Sequence, residues 1–333
     1  MKIGIAGAGM IVRDLFRFIH KVEGIELVAI ASTENSIEKV KMMAQEQNIP
    51  HYYSCYDELL KDENIEVMYI ASPNHLHYIM CKKALLAGKH IICEKPFTSH
   101  VKELEELNKL AEEKHLILLE AISTQYLPHT LKIKDMLNEI GQVKIVTANY
   151  SQYSSRYNAF KEGNILPAFD YTKSGGALMD LNIYNIHLMV ALFGQPQKVQ
   201  YHANIEKGID TSGIITLDYG TFKAVLIGAK DCKAPISTNI QGDKGCINIT
   251  TPANKIMDFK LLRNDGSEEE YNLQGEEHRM YFEFKEFVDI IENKDYLKAN
   301  EMMKKSLIAM DIATKARQYA GIVFTADEFI EVS

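Results

Sequence analysis

The sequence predicts an α/β chain: a doubly wound parallel sheet, followed by an α+β domain with a mostly antiparallel open sheet. Three observations predict it. Up to about residue 121, short apolar and β-branched runs alternate with helical patterns, as buried strands and their crossover helices should. Beyond that point the strand-like runs lengthen and are joined by hairpin signals, Tyr219-Gly220 and Asn264-Asp265-Gly266. The length of 333 residues exceeds one ordinary domain, so the expected division is 1–121 and 122–333.

In chain order, strands are expected at Lys2–Gly7, Glu26–Ala31, His51–Tyr53, Val67–Ala71, Lys89–Cys93 and Leu116–Ala121. Helical patterns lie between them at Ile11–Lys21, Ser36–Gln47, His75–Ala87 and Val101–Lys114. Gly88 closes the third of these, where a C-terminal glycine is expected. A helix over His129–Ile140 ends near Gly141. Strands follow at Val143–Ser154, Lys198–Ile205, Gly213–Asp218, Thr221–Ile227, Thr238–Gln241, Cys246–Thr250 and Phe259–Arg263. Helices over Met280–Glu292 and Ala299–Tyr319 come last.

Hydrophobic residues make up 46% of the chain and charged residues 25%, enough apolar material for a core in each half. The net charge is −8 and the charges are scattered, so no nucleic-acid partner is expected. The acidic runs Glu103-Leu104-Glu105-Glu106 and Glu268-Glu269-Glu270 read as solvated faces. No apolar stretch is seen to approach the roughly 18 residues of a membrane span, so no membrane association is expected. The first residues read as a strand, so no signal peptide is expected. Its five cysteines (Cys55, Cys81, Cys93, Cys232, Cys246) lack paired short spacing. Reduced, structural thiols in a cytoplasmic protein are the expectation.

The first strand-to-helix turn reads Gly7-Ala8-Gly9-Met10-Ile11-Val12. In the fingerprint G-x-G-x-x-G/A the first glycine allows the tight turn and the second lets backbone approach a pyrophosphate. Gly7 and Gly9 fill those places, and Met10 and Ile11 open the helix whose N-terminus would face the phosphates. Val12 stands where the fingerprint has a small residue. Both glycines could serve a turn alone, but their place at the head of a βαβ series points to a dinucleotide. The second strand ends Ala31-Ser32-Thr33-Glu34. Ser32 and Thr33 can hydrogen-bond a ribose hydroxyl, Glu34 would repel a phosphate, and no Arg or Lys is at hand. NAD is therefore expected over NADP. Ser72-Pro73-Asn74 follows the fourth strand and can lie under a nicotinamide ribose, with His77 bordering the cofactor at the next helix start. His75 and His77 have no further ligand to complete a set, so no metal is expected.

Glu94-Lys95-Pro96 ends the fifth strand, and ligands of open α/β sheets bind outside the carboxyl ends of strands. Lys95 is thus presented to the same crevice, with Glu94 supporting the cofactor or the lysine. Lysine serves both charge stabilisation and proton transfer. Pro96 stiffens the turn, and its peptide bond can be cis or trans. A second cluster lies on Gly175–Leu188, a helical pattern apolar nearly all round and hence buried. Asp180, Tyr184 and His187, spaced by four and then three, share one stripe. That stripe is either an internal hydrogen-bond network or a catalytic face.

Together these residues resemble the Gfo/Idh/MocA family of oxidoreductases. The resemblance spans nearly the whole chain: Gly7-Ala8-Gly9, Ser72-Pro73-Asn74 with His77, Glu94-Lys95-Pro96, Glu120-Ala121, Gly175-Gly176-Ala177-Leu178-Met179-Asp180 with Tyr184, and Leu192-Phe193-Gly194. It is nearest the branch of dimeric dihydrodiol dehydrogenases and glucose–fructose oxidoreductase, with Tyr184 where inositol dehydrogenases carry a histidine. The resemblance implies a Rossmann-type dinucleotide domain over 1–121 and a substrate-binding and oligomerisation domain over 122–333. It implies NAD(P)-dependent hydride transfer at a secondary alcohol or carbonyl of a sugar, polyol or cyclic diol. It also implies a homodimer or larger homo-oligomer built through the open sheet. Lys95 takes the place of the family's lysine and Tyr184 that of its acid/base tyrosine, with Asp180 orienting the pair. Gln125, Asn182 and His187 are expected to border the substrate, beside Lys95 and Tyr184. Val12, Thr33 in place of a frequent arginine, Asn182 in place of glycine and Gln125 in place of arginine depart from the pattern, and no substrate name transfers.

Two rival activities fit the same residues. One is NAD-dependent glycoside cleavage through transient sugar oxidation. The other is a non-catalytic dinucleotide sensor, which would need no proton relay of the kind Lys95, Tyr184 and Asp180 suggest.

Overall fold

Buried β-branched runs in the first third of the chain pair into a six-stranded sheet. The computed structural model describes residues 1–273 and 275–330. The elements are β1 (Lys2–Ala6), α1 (Met10–Phe16), β2 (Glu26–Ala31), α2 (Ile37–Glu46), β3 (His51–Tyr53), α3 (Tyr56–Leu59), β4 (Val67–Ile70), α4 (His77–Leu86), β5 (His90–Glu94), α5 (Val101–Glu113) and β6 (Leu118–Ala121). The spatial order is β3-β2-β1-β4-β5-β6, with every pair parallel. The order reverses between β1 and β4, which makes a doubly wound sheet with its switch point there. Ile3, Ile5 and all of Val67, Met68, Tyr69 and Ile70 are fully buried. Strands covered on both faces read as apolar runs, not as alternation.

The acidic run at α5 is more than a solvated face. Glu103 Oε2 accepts from the His100 N–H at 3.1 Å, and His100 Nδ1 accepts from the Lys102 N–H at 3.0 Å, a capping box. Glu106 accepts from the Tyr78 hydroxyl and the Lys82 ammonium, each at 2.6 Å, and so ties α5 to α4.

The second sheet follows α6 (Pro128–Met136). Its elements are β7 (Val143–Ser151), α7 (Tyr157–Lys161), a π-helical turn (Leu178–Asn182) running into α8 (Ile183–Phe193), then β8 (Lys198–Glu206), β9 (Ile209–Asp218), β10 (Lys223–Ala229), β11 (Ser237–Gly242), β12 (Gly245–Ile249), β13 (Phe259–Arg263) and β14 (Glu268–Tyr271). The order is β14-β13-β12-β11-β7-β10-β9-β8. Among the described residues β7 and β10 run parallel, and the other neighbours are antiparallel. The Glu268-Glu269-Glu270 run is exposed, as expected of a solvated face, and it forms the edge strand β14, where acidic side chains suit an edge. The π-helical turn and α8 pack on β7, β9 and β10, and α6 packs on α8.

The helical run Tyr171–Phe193 is long and apolar enough, by length and composition, to cross a membrane, with mean hydropathy 1.3. This corrects the expectation that no apolar stretch approaches the length of a membrane span. Within the protein 83% of its apolar window is buried, so it serves as the core helix of the second sheet.

The chain ends with α9 (Tyr281–Glu292), α10 (Tyr296–Tyr319) and α11 (Thr325–Ile330). It forms two units. The first is 1–121 together with 280–306, and the second is 122–279 with the residues from 307 onward. The expected domain 122–333 therefore loses 280–306 to the first unit. Aromatic packing explains the return: Phe284 of α9 meets Phe18 edge-on at 5.7 Å and Tyr69 of β4 at 5.5 Å.

Candidate functional site

In the first unit the candidate residues stand where β1, β2, β4 and β5 end. The Gly7 N–H donates to Ala31 O at 2.8 Å, and the Ala71 N–H donates to Ala6 O at 2.9 Å, so three strand ends are stitched together. Gly7 has φ +133°, and a Cβ there would collide with Ala71 O. Both conformation and close approach demand glycine. A Cβ on Gly9 would meet nothing within 4 Å, so its backbone faces open space. Val12, which stands where the fingerprint has a small residue, is fully buried. Met10 is exposed and Ile11 half-buried. At the β2 end Ser32 is half-buried and Thr33 exposed, with Thr33 Oγ1 3.4 Å from Ser36 Oγ.

His77 braces the next two strand ends. Fully buried, it places Nδ1 2.9 Å from Pro96 O and Nε2 2.9 Å from Ser72 O. It ties the turn after β4 to the turn after β5. Burial pushes its imidazole below the usual range against the pull of the two carbonyls, and the Lys95 charge adds to the lowering. The sequence placed His77 as a cofactor contact; with both ring nitrogens engaged by the protein it supports the turns instead. Ser72 Oγ is buried and has no hydrogen-bond partner among the described residues. Pro73 and Asn74 follow it into a short 3₁₀ turn, Asn74–Leu76. The Lys95-Pro96 bond is cis, and Lys95 is half-buried. Glu94 is buried and accepts from the Tyr69 hydroxyl of β4 at 2.6 Å. Burial drives the neighbouring Cys93 thiol well above its usual range, which fits packing and not nucleophilic chemistry. These features fit a dinucleotide: open backbone at Gly9, an unsatisfied hydroxyl at Ser72, and two hydroxyls at the β2 end.

In the second unit Asp180 lies on the π-helical turn, a geometry frequent at functional sites. Tyr184 and His187 follow on α8. The stripe runs from the surface into the core: the Asp180 side chain is 36% exposed, Tyr184 is 7% exposed and His187 is fully buried. The Tyr184 ring lies 6.2 Å from that of Tyr150 on β7, at 37°. His187 Nδ1 is 2.8 Å from Gln125 Nε2, and the buried Gln125 Oε1 has no partner among the described residues. Asn182 does not fit its expected place at the substrate. It is fully buried, its Nδ2 donates to Leu226 O at 3.2 Å, and its Oδ1 accepts from Asn185 Nδ2 at 2.8 Å. It fastens the helix to β10.

Two residues that sequence reasoning missed complete this cluster. Lys230 is 2% exposed, and its Nζ donates to Asp180 Oδ2 and to Ala168 O, each at 2.7 Å. Asp210 is buried and accepts from the Leu178 N–H at 2.6 Å and the Tyr201 hydroxyl at 2.7 Å. It places a carboxylate at the start of the π-helical turn. Burial pushes Asp210 up to about 6, against these hydrogen bonds and the Lys230 charge. The sequence trace that could have found Lys230 is a lysine directly after the apolar run of β10. Among the described residues no three His, Cys, Asp or Glu side chains are grouped to hold a metal ion.

Residues 1–122 match the model of an oxidoreductase family with an NAD-binding Rossmann fold, and residues 130–248 match the GFO/IDH/MocA C-terminal domain. The scyllo-inositol 2-dehydrogenase (NADP(+)) IolU of Bacillus subtilis is 34% identical over 98% of this chain and 99% of its own. The chain belongs to the Gfo/Idh/MocA oxidoreductase family. Another family member, the trans-1,2-dihydrobenzene-1,2-diol dehydrogenase of Sus scrofa, is 26% identical over 98% of this chain and 99% of its own. Among solved structures, KijD10, a 3-ketoreductase from Actinomadura kijaniata in complex with NADP and TDP-benzene, shares the fold. Its TM-score is 0.82 at 21% identity, covering 96% of this chain and 97% of that one. This Gfo/Idh/MocA chain is an oxidoreductase that uses a nicotinamide cofactor, and its first unit is the nucleotide-binding one.

Proposed function

We propose that this chain transfers hydride between a nicotinamide cofactor and a secondary alcohol or carbonyl carbon of a polyol, sugar or cyclic diol. The observation that carries the reading is one row of strand ends: Gly7 and Gly9 after β1, Ser72 after β4, and Glu94-Lys95 after β5, braced by His77. The relatives named for an inositol and a dihydrodiol support the substrate class. The bound nicotinamide supplies the hydride acceptor or donor. The backbone at Gly9, Met10 and Ile11 and the Ser72 hydroxyl hold the nucleotide. Tyr184 exchanges the substrate hydroxyl proton. Lys95 hydrogen-bonds the substrate oxygen as charge develops on it. Asp180 orients the proton-handling set, and Gln125, held by His187, offers its Oε1 to a substrate hydroxyl.

The test is a screen of inositols, sugars and cyclic diols for NADH or NADPH formation, followed by Lys95→Met and Tyr184→Phe. Each variant is expected to lose about 10²–10⁴-fold in kcat with its fold intact. Normal turnover in both would sink the assignment.

NAD is the proposed cofactor, although the B. subtilis relative is NADP-dependent by name. No Arg or Lys occurs from Ser32 to Glu38, and Glu34 and Glu38 would face a 2′-phosphate. Titration is expected to show NADH binding at least about tenfold more tightly than NADPH, a difference of about 1.4 kcal/mol. Tighter binding of NADPH would overturn this choice.

A second copy of the chain is the proposed partner, seated on the outer face of the second sheet. Ile145 and Ile214 stand 48% and 43% exposed there, while their strand neighbours Val146 and Ile215 are fully buried. Eight strands at about 4.8 Å spacing make a face about 35 Å wide, wide enough for the roughly 800 Å² per partner of a stable dimer.

A further inference from the structure

A buried ammonium is tolerated only where its N–H groups and charge are answered. Lys230 meets that demand from two separate pieces of the second unit. Its Nζ donates to Asp180 Oδ2 on the π-helical turn and to Ala168 O on the 3₁₀ turn Pro167–Phe169. It also lies 4.5 Å from the centre of the Phe169 ring. Its own backbone is fixed at the end of β10: the Lys230 N–H donates to Thr211 O at 2.8 Å, and Lys230 O accepts from the Ser154 N–H at 2.8 Å. Phe169 in turn stacks on Phe160 of α7 at 4.9 Å.

We propose that Lys230 is a positioning residue for the reaction: anchored on the segment 154–173, it holds the Asp180 carboxylate aimed on the π-helical turn that runs into the helix carrying Tyr184. The inference rests on the reading of Asp180 and Tyr184 as members of the proton-handling set. Asp180 suits such control. Its side chain is 36% exposed on one side, while its Oδ2 is gripped from beneath by a lysine that is 2% exposed. The same exposure lets water take up the carboxylate when the lysine is removed, so the fold is expected to survive the loss.

The experiment is a double-mutant cycle with the substrate found in the screen: Lys230→Met, Asp180→Asn and the pair, with Lys230→Arg as rescue and NADH affinity as control. Lys230→Met is expected to lower kcat by about tenfold or more, leave NADH affinity within about twofold, and regain much of the rate as Lys230→Arg. In the Asp180→Asn background the same Lys230 change is expected to cost less than about twofold, because the lysine acts through the carboxylate. An equal cost in both backgrounds, or a normal kcat for Lys230→Met beside an impaired Asp180→Asn, overturns the role of Lys230 alone. A normal kcat for Asp180→Asn overturns the reading of Asp180 and this inference with it. Should Lys230→Met fail to bind NADH, Lys230→Gln carries the same outcomes, since it keeps a donor and drops the charge.

Discussion

Single buried side chains decide how this protein responds to acid. His77, His90 and His129 all lie below their unfolded value of 6.5, each chiefly because burial penalises the charged ring. As the pH falls below about 6.5 the unfolded chain takes up protons that the native rings refuse, so this stability is full above that value and is lost on acidification. Asp210 acts in the opposite sense. Raised from 3.8 to about 6, it stabilises the native state at low pH, and that contribution is lost as pH rises through about 6. Three histidines against one aspartate predict a melting temperature that falls between pH 7 and pH 5, measured by calorimetry in low salt. A melting temperature that rises over that interval would contradict the burial argument. The residues of short motifs were legible in the sequence: Gly7, Gly9 and Lys95 announce themselves by their place at strand ends. Lys230 and Asp210 were not, because their partners Asp180 and Leu178 lie 50 and 32 positions away.

At the scale of elements, apolar runs located the strands well, and their ends moved for local reasons. The expected helix His75–Ala87 begins at His77, because the turn Asn74–Leu76 tightens to 3₁₀ geometry behind Pro73. The expected helix Ile11–Lys21 divides into α1 and the 3₁₀ turn Ile19–Lys21. The stripe of Asp180, Tyr184 and His187 was legible from helical spacing, but the π-helical turn that presents Asp180 was not. Along the second sheet, residues that alternate with buried ones mark the outer face, including Thr147 opposite Val225 and Ile227 opposite Ile214. If that face seats a second copy, light scattering should give a dimeric mass for the native chain and a monomeric one for Ile214→Glu, with the fold unchanged. A native chain that is monomeric at micromolar concentration would remove the proposed partner.

At the scale of the molecule, the sequence by itself determined the two sheet types, the change of architecture after residue 121, and the dinucleotide and lysine signals at the ends of parallel strands. These depend on neighbours in sequence: periodicity, turn chemistry and the placing of polar groups after apolar runs. Only the tertiary structure decided that residues 280–306 return to the first unit, that His77 is a strut between two turns, that Asn182 is a fastening, and that Lys230 grips Asp180. Each of these is a contact between segments far apart in the chain. A buried histidine, asparagine or lysine is tolerated only when distant groups answer its polar atoms, and no local pattern records which distant groups those are.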